Sequence, residues 1–185
     1  MNKKVNLDKL DLYNFLAGPE DGFRPQRQVI LFELCFFLDA NCVNARQQND
    51  ALNVLERWRD QEIVTLIYAE ITKIEASYGD EVRKDKADEF TCVQVNETGD
   101  NPEVREAISK IVFPKGPKNQ NQMNDVDAVY HAERLRWPLV TMDGNSRSQP
   151  GGILGHCDEL NAMGIEVLAP QQAVSRVRFE LKSSG

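Results

Sequence analysis

The chain has 185 residues, of which 41% are hydrophobic and 28% charged, a composition typical of one globular domain with its own core. Its net charge of −7 argues against a broad basic surface that would grip long duplex DNA regardless of sequence. The N-terminus has no signal-peptide pattern, and the longest apolar run is too short to cross a bilayer. The four cysteines form no CxxC pair. We therefore expect a cytoplasmic protein with free thiols and no membrane contact.

Residues 1–28 are predicted to be an N-terminal appendage, and residues 29–185 a single domain. Apolar positions in the appendage could line a short helix before Gly18 and Pro19 stop it. A helix packed on the domain is one interpretation of this segment, and a partner-binding arm is the other.

Apolar runs and helical periodicities alternate along the rest of the chain. Apolar runs predict strands at residues 34–38, 63–68, 91–95, 139–142 and 165–168. Helical periodicity or starting signals predict helices at residues 45–60, after 70, at 78–90, 102–111, 125–136, 153–163 and from 170. Strands that alternate with helices predict an α/β fold, a three-layer sandwich around a central parallel sheet.

Four acidic residues lie where these predicted elements meet. Asp39 and Asp143 end strands, Glu70 begins the helix after a strand, and Asp125 opens the helix that follows the polar loop 114–122. The carboxyl ends of parallel strands share one edge of a sheet, where ligands of open sheets bind. Carboxylates gathered there repel one another unless a cation lies between them, and oxygen ligands suit Mg²⁺ or Mn²⁺. The pattern therefore indicates a metal-dependent phosphodiesterase.

Each acidic residue also has a purely structural interpretation. Asp39, Asp125 or Asp143 alone would be read as a helix cap or turn residue, and Glu70 as a first-turn glutamate favoured by the helix dipole. Glu75 competes with Glu70, but five further residues carry it about 7–8 Å along the helix.

The predicted helix 125–136 distinguishes two neighbouring aspartates. Asp125 shares a face with Val129 and Ala132, so that face should pack on the sheet. Asp127 shares a polar stripe with His131, which predicts exposure to solvent. His131 and His156 are both expected on the surface or in loops.

The order of these motifs resembles the PIN-domain nucleases over residues 34 to 174. The segments that carry the resemblance are Leu38-Asp39-Ala40-Asn41, Thr65 with Ala69-Glu70-Ile71, Asp125 with Val129 and Ala132, Leu139-Val140-Thr141-Met142-Asp143, and Gly164 to Pro170. The resemblance implies a divalent-metal-dependent nuclease, usually acting on RNA, here on single-stranded or loop segments. Asp39, Glu70 and Asp125 would hold Mg²⁺ or Mn²⁺, and Asp143 would bind it directly or through water.

Four further residues are candidates for substrate contact. Asn41 and Thr141 could orient a carboxylate or a phosphate. Lys115 and Lys118 precede Asp125 and offer the best contacts to a nucleic-acid backbone in this acidic chain, although ordinary solvated lysines are the alternative.

Many small PIN proteins are toxins with a protein antitoxin, so an antitoxin partner and a homodimer are part of the expectation. Most such toxins are shorter than this chain. One competing hypothesis is a PIN-like scaffold that binds RNA or protein without cutting. Another is a phosphatase of a different α/β family, which would want a second aspartate where Asn41 stands.

Overall fold

The computed structural model describes residues 34–45, 48–70, 72, 90–93, 100–144 and 151–183. The predicted appendage, the start of the domain at residue 29, Glu75 and all but the last residue of the predicted helix 78–90 lie outside these ranges. Among the helices that are described, none is long and apolar enough to cross a membrane.

Within the described ranges, five strands form one sheet in which every neighbouring pair is parallel. The order across the sheet is β3-β2-β1-β4-β5. The chain therefore moves from β1 outward to β3 and then returns to the other side of β1, which makes the gap between β1 and β4 the switch point of the sheet. The strands are β1 Cys35–Leu38, β2 Thr65–Ala69, β3 Thr91–Val93, β4 Leu139–Val140 and β5 Val167–Leu168.

Helices cover both faces of this sheet. In the described ranges these helices are α1 Ala40–Val43, α2 Asp50–Asp60, α3 Pro102–Val112, α4 Gln120–Leu135, α5 Cys157–Ala162 and α6 Pro170–Ser183. A 3₁₀ turn, Leu154–His156, precedes α5. The predicted α/β fold with three layers and a central parallel sheet is confirmed.

Alternation along the central strand creates two hydrophobic cores. Phe36 and Leu38 of β1 point into a core shared with α1, α2 and α6, whereas Phe37 points into a core shared with α3, α4 and α5. Successive side chains of a strand point to opposite faces, and a strand buried on both faces is apolar throughout. All four residues of β1 are buried.

The start of α4 corrects one prediction. The helix begins at Gln120, five residues before Asp125, so Asp125 lies in the second turn and does not open the helix. The Asn119 side chain caps the helix by accepting from the Gln122 N–H (3.0 Å), and the Gln122 side chain accepts in return from the Lys118 N–H (2.7 Å). Asparagine is among the preferred N-caps, so an amide-rich segment that suggested a loop instead starts a helix.

The prediction of a solvent-facing stripe at Asp127 and His131 is also wrong. Asp127 is buried and forms an ion pair with Arg105 of α3. His131 is largely buried beside it, and burial lowers the pKa of its imidazole. The polar stripe of α4 faces α3 because the Arg105 side chain of α3 pairs with Asp127 there.

The remaining differences concern element boundaries. The helix predicted at 45–60 begins at Asp50 and follows the separate short helix α1, and the helix predicted at 153–163 starts as a 3₁₀ turn. The strand predicted at 63–68 runs from Thr65 to Ala69, so Glu70 follows it directly.

Candidate functional site

Asp39 lies at the carboxyl end of β1, on one side of the switch point. Its side chain is buried, with 4% exposure, and its backbone N–H donates to the Val140 carbonyl of the neighbouring strand (3.1 Å). One carboxylate oxygen, Oδ1, accepts from the Ala40 N–H (2.7 Å), so Asp39 caps the short helix α1. The other oxygen, Oδ2, accepts from the Thr141 hydroxyl (2.7 Å). The carboxylate is therefore held in one orientation from two sides.

Thr141 follows β4 and joins the two sides of the switch point. Its hydroxyl donates to Asp39 and accepts from the Asn41 side-chain amide (3.4 Å) and from the Asp143 N–H (3.0 Å). A hydroxyl has one donor and two acceptor positions, so this group is fully used. Asn41 adds a second link, because its carbonyl oxygen accepts from the Met142 N–H (3.1 Å). The segments that follow β1 and β4 are thus fastened to each other by side chains.

Asp143 is fastened to the segment that leads into α5. Its Oδ2 accepts from the Ile153 N–H (3.0 Å), and its backbone carbonyl accepts from the Leu154 N–H (2.9 Å). Gly152 makes this close approach possible. It has a φ of +54°, and a Cβ atom there would lie 2.5 Å from the Asp143 carbonyl oxygen and 2.6 Å from its Oδ1. Only glycine adopts this position without strain.

The electrostatics of the site follow from its burial. Removal from water raises the pKa of the Asp39 carboxyl above its usual value of 3.8, hydrogen bonds from Thr141 and Ala40 oppose the change, and the charge of Asp143 raises the pKa further. Asp39 and Asp143 are therefore close enough to repel each other electrostatically. Burial, together with the Asp39 charge, also raises the pKa of the Cys42 thiol, which donates to the Val140 carbonyl at 3.3 Å.

The residues at the switch point fit a hard divalent cation. Asp39 and Asp143 offer only oxygen, and each carboxylate has about four lone-pair sites, more than the hydrogen bonds described above occupy. Mg²⁺ usually binds through one or two carboxylates and keeps several waters, so the pair is sufficient for it. A cation there would also offset the repulsion between the two acids. Zinc would instead favour nitrogen or sulfur ligands.

The other two predicted acidic ligands do not join this pair in one cluster. Within the described ranges, no group of three or more histidine, cysteine, aspartate or glutamate side chains is placed to hold a single ion. Glu70 follows β2, the strand next to β1, and is exposed, while Asp125 is half-buried in α4. Their roles as ligands stay predictions.

Lys115 and Lys118 lie in the loop between α3 and α4, and both are exposed. The Lys118 backbone helps to start α4 through its bond to Gln122. The predicted contact of the two ammonium groups with a substrate backbone stays a prediction.

Gly152 and the Ile153 N–H contact Asp143 but were not predicted from the sequence. Gly151 and Gly152 form a glycine pair eleven and twelve residues after the end of β4, and both have positive φ. A glycine pair in a polar loop signals backbone that must turn sharply or pass close to another group. That signal predicts a close approach of the loop backbone, but it does not identify Asp143 as the group approached.

Comparison with known proteins gives similar solved structures but no matching family model. No protein-family model matches the chain, and no curated protein matches its sequence. Among solved structures, a chain from VapBC2 of Rickettsia felis, crystallised with a DNA fragment from the promoter, is similar at 19% sequence identity and a TM-score of 0.48. The overlap covers 74% of this chain and 98% of that one. The function of the present protein is therefore inferred from the geometry at its strand ends.

Proposed function

We propose that this protein is a divalent-metal-dependent nuclease of the PIN type that cuts RNA at the switch point of its sheet. The observation that carries the proposal is the pair Asp39 and Asp143, in which a buried carboxylate with a raised pKa lies near a second acid. Ionising a buried carboxyl beside another acid is unfavourable, and such groups concentrate at functional sites. The site also lies where open α/β sheets bind their ligands.

The side chains around the pair keep it ready to hold a cation. Thr141 and the Ala40 N–H fix the Asp39 carboxylate, and the Ile153 N–H fixes that of Asp143. When bound there, Mg²⁺ or Mn²⁺ would lower the pKa of a coordinated water and neutralise charge on a phosphodiester. Asn41 and Thr141 brace the two segments against each other, so that the two carboxylates keep their spacing as substrate arrives.

RNA is the proposed substrate, and two lysines support it. Lys115 and Lys118 are exposed before α4, the helix that carries Asp125. We assign them to the phosphate backbone, while Glu70 and Asp125 would complete the metal ligands when a cation and substrate are present. A toxin role with an antitoxin partner is a finer hypothesis, which co-purification with the product of a neighbouring gene would test.

A non-catalytic scaffold is the second candidate function, and one observation favours it. Glu70 is exposed, and no group of three potential ligands occurs in the described part of the chain. In that case Asp39 would act only as the cap of α1.

Cleavage of labelled RNA decides between the two candidates. We expect the parent to cut single-stranded RNA in Mg²⁺ or Mn²⁺ and to stop in EDTA, with Asp39→Asn inactive and Glu103→Gln, a change at an exposed acid of α3, fully active. Labelled DNA run in parallel tests the choice of nucleic acid. Equal cleavage by the parent and Asp39→Asn, or none by the parent in either metal, would reject the nuclease proposal.

A further inference from the structure

A largely buried histidine lies beside the ion pair that joins helices α3 and α4. Arg105 of α3 pairs with the carboxylate of Asp127 on α4. His131 follows Asp127 by four residues on the same helix, a spacing that makes their side chains neighbours. Asp127 therefore has a basic partner on α3 and a second basic group within reach on its own helix.

The His131 imidazole is enclosed but not fully hydrogen-bonded. Its Nδ1 atom is buried and has no hydrogen-bond partner in the part of the chain that the structure describes. A neutral imidazole has one N–H donor, whereas an imidazolium has two. A buried N–H without an acceptor is unfavourable, so a proton on His131 requires an acceptor nearby. Among the charges that favour the imidazolium, that of Asp127 has the largest effect.

The charges around His131 balance while the imidazole is neutral. The charged groups that face it, from α3, from α4 and from the segment before α3, are two acids and two bases: Asp100, Asp127, Arg105 and Arg134. The Tyr130 ring also lies beside it, with 6.0 Å between the ring centroids, and a phenol is uncharged at neutral pH. Removal from water has the largest effect and lowers the pKa of the His131 imidazole below its ordinary value of 6.5.

The two members of the ion pair differ in what they lose when the pair breaks. The Arg105 side chain is 42% exposed and lines a groove of about 300 Å³. The exposed acids Asp100 and Glu106 line the same groove, although Glu106 also pairs with Lys110. Water and these carboxylates can therefore accommodate the guanidinium. The Asp127 side chain is only 12% exposed, and a buried charge without a partner is strongly unfavourable, so Asp127 can leave Arg105 only if another cation replaces it.

From this arrangement we propose that His131 is a proton-operated switch of the contact between α3 and α4. While His131 is neutral, Asp127 pairs with Arg105 and joins the two helices. When His131 binds a proton, Asp127 turns to the imidazolium on its own helix, and Arg105 is released into the groove. Helix α3 then loses its ionic link to α4. The proton on His131 takes the place of the guanidinium as the counter-charge of Asp127.

The switch gives the stability of the chain a pH dependence of defined sign. Because the pKa of His131 is lower in the folded chain than in the unfolded one, the unfolded chain binds more protons between the two values. The contribution of His131 is therefore fully present above pH 6.5 and is lost as the pH falls through the folded pKa. Asp39 contributes with the opposite sign, so the pH dependence of total stability does not isolate the switch.

The inference goes beyond the proposed nuclease activity and does not depend on it, so it is tested without metal or nucleic acid. The chain has two histidines, and His156→Gln leaves His131 as the only imidazole in the proton NMR spectrum. We expect this imidazole to titrate below 6.5, with a higher midpoint in Arg105→Gln, where Asp127 has lost its other partner.

A double-mutant cycle on both sides of that midpoint tests the exchange of partners. Arg105→Gln, Asp127→Asn, the double variant and the parent are unfolded in urea, about one pH unit above and about one below the midpoint. The coupling of Arg105 and Asp127 in the unfolding equilibrium constant should be about tenfold at the higher pH and less than about twofold at the lower. Titrating groups elsewhere, Asp39 included, cancel in the cycle.

Variants of the two histidines are the controls. His131→Phe keeps an aromatic ring that cannot bind a proton, so the coupling of Arg105 and Asp127 should be the same at both pH values in this background. His131→Gln takes its place if circular dichroism shows that His131→Phe does not fold. His156→Gln changes the other histidine and should keep the pH-dependent coupling of the parent.

Any one of three results would overturn the proposal. The coupling in the parent could be equal at both pH values, the coupling could still change with pH in a folded variant without His131, or the His131 imidazole could titrate at or above 6.5. The first two results would show that Asp127 does not exchange its partner when His131 is protonated, and the third that the folded chain does not disfavour the proton.

Discussion

At the scale of single residues, the Thr141 hydroxyl is the group on which the site depends most. It is fully buried and connects Asp39, Asn41 and the Asp143 backbone. Thr141→Val keeps the shape of the side chain but leaves one Asp39 oxygen and two donors without their partner. An unsatisfied buried group costs about 1–3 kcal/mol, so we expect the free energy of unfolding in urea to fall by that amount. Thr141→Ser, which keeps the hydroxyl, should lose clearly less; a Thr141→Val variant as stable as the parent would contradict the role of the hydroxyl.

The raised pKa of Asp39 predicts an unusual pH dependence of stability without metal. An acid whose pKa is higher in the folded state binds more protons when folded, at pH values between its unfolded and folded pKa. The free energy of unfolding then falls as pH rises from the ordinary value of 3.8 through the raised folded value. Asp39→Asn lacks this contribution.

The contribution of Asp39 is measured by unfolding the parent and Asp39→Asn in urea, with EDTA present, at a series of pH values. We expect the parent's stability relative to the variant to be greatest at the acidic end and to decline as pH rises. A difference that does not change with pH would show that Asp39 has no raised pKa.

The contact between Gly152 and Asp143 predicts a position-specific effect of alanine. Gly152→Ala places a methyl group in a left-handed backbone conformation and against the Asp143 carbonyl and carboxylate oxygens. Strain of this kind costs about 1–3 kcal/mol, so the melting temperature should fall and the affinity for Mn²⁺ should weaken as the carboxylate moves. Gly155→Ala is the matched control, because nothing lies within 4 Å of the added atom. Similar losses from both substitutions would refute the contact.

Some of these residue positions follow from the sequence and some do not. Asp39, Asn41, Thr141 and Asp143 were predicted as site residues near the carboxyl ends of two predicted strands, and the structure brings them together. The burial of Asp127 could not be predicted from its own helix. Its partner Arg105 lies on another helix, and periodicity within one segment says nothing about charges that arrive from a neighbouring element.

At the scale of secondary-structure elements, the early start of α4 gives its two aspartates different roles. Asp127 joins α4 to α3 through Arg105, and its side chain is 12% exposed against 42% for Arg105. Asp127→Asn should therefore lower the free energy of unfolding by about 1.5–3 kcal/mol, the range for hydrogen bonds to charged groups. Because Arg105 is partly exposed to solvent, which screens the ion pair, we expect a loss near the lower end of that range. A double-mutant cycle with Arg105→Gln measures the coupling, and no coupling would contradict the pairing.

Asp125→Asn should instead affect activity. If Asp125 completes the metal ligands, its loss should reduce the rate of RNA cleavage by the order of a hundredfold, as for other well-placed electrostatic groups. Asp127→Asn, compared at a temperature where both variants are folded, should change the rate far less. The reverse order of the two effects would move the catalytic aspartate to position 127.

The elements themselves were predictable in type and order, but several of their boundaries were not. Apolar runs identified the five strands, since strands buried on both faces contain few polar residues. The start of α4 was misplaced because the amides of Asn119 and Gln122 suggested a loop, whereas their hydrogen bonds with the backbone build the first turn. Capping depends on which side-chain oxygen meets which N–H, and residue composition does not determine that.

At the scale of the whole molecule, the strand order places the candidate site. With β1 and β4 adjacent, Asp39 and Thr141 meet although 102 positions separate them in the chain. The two hydrophobic cores pack on opposite faces of the sheet, so the strand ends keep Asp39 and Asp143 in fixed positions. Alternation of strands and helices predicted a parallel sheet, but only the tertiary structure shows that β4 lies beside β1.

The central claim is that Asp39 and Asp143 together hold a divalent cation. Mn²⁺ titration followed by electron paramagnetic resonance of the free ion measures this directly, without substrate. We expect saturable binding by the parent, strongly weakened binding by both Asp39→Asn and Asp143→Asn, and unchanged binding by Glu103→Gln. The melting temperature should rise with Mn²⁺ in the parent and in Glu103→Gln, and much less in Asp39→Asn and Asp143→Asn, because a ligand of the folded state stabilises that state. Binding of equal affinity in all four proteins would place the ion elsewhere and contradict the account.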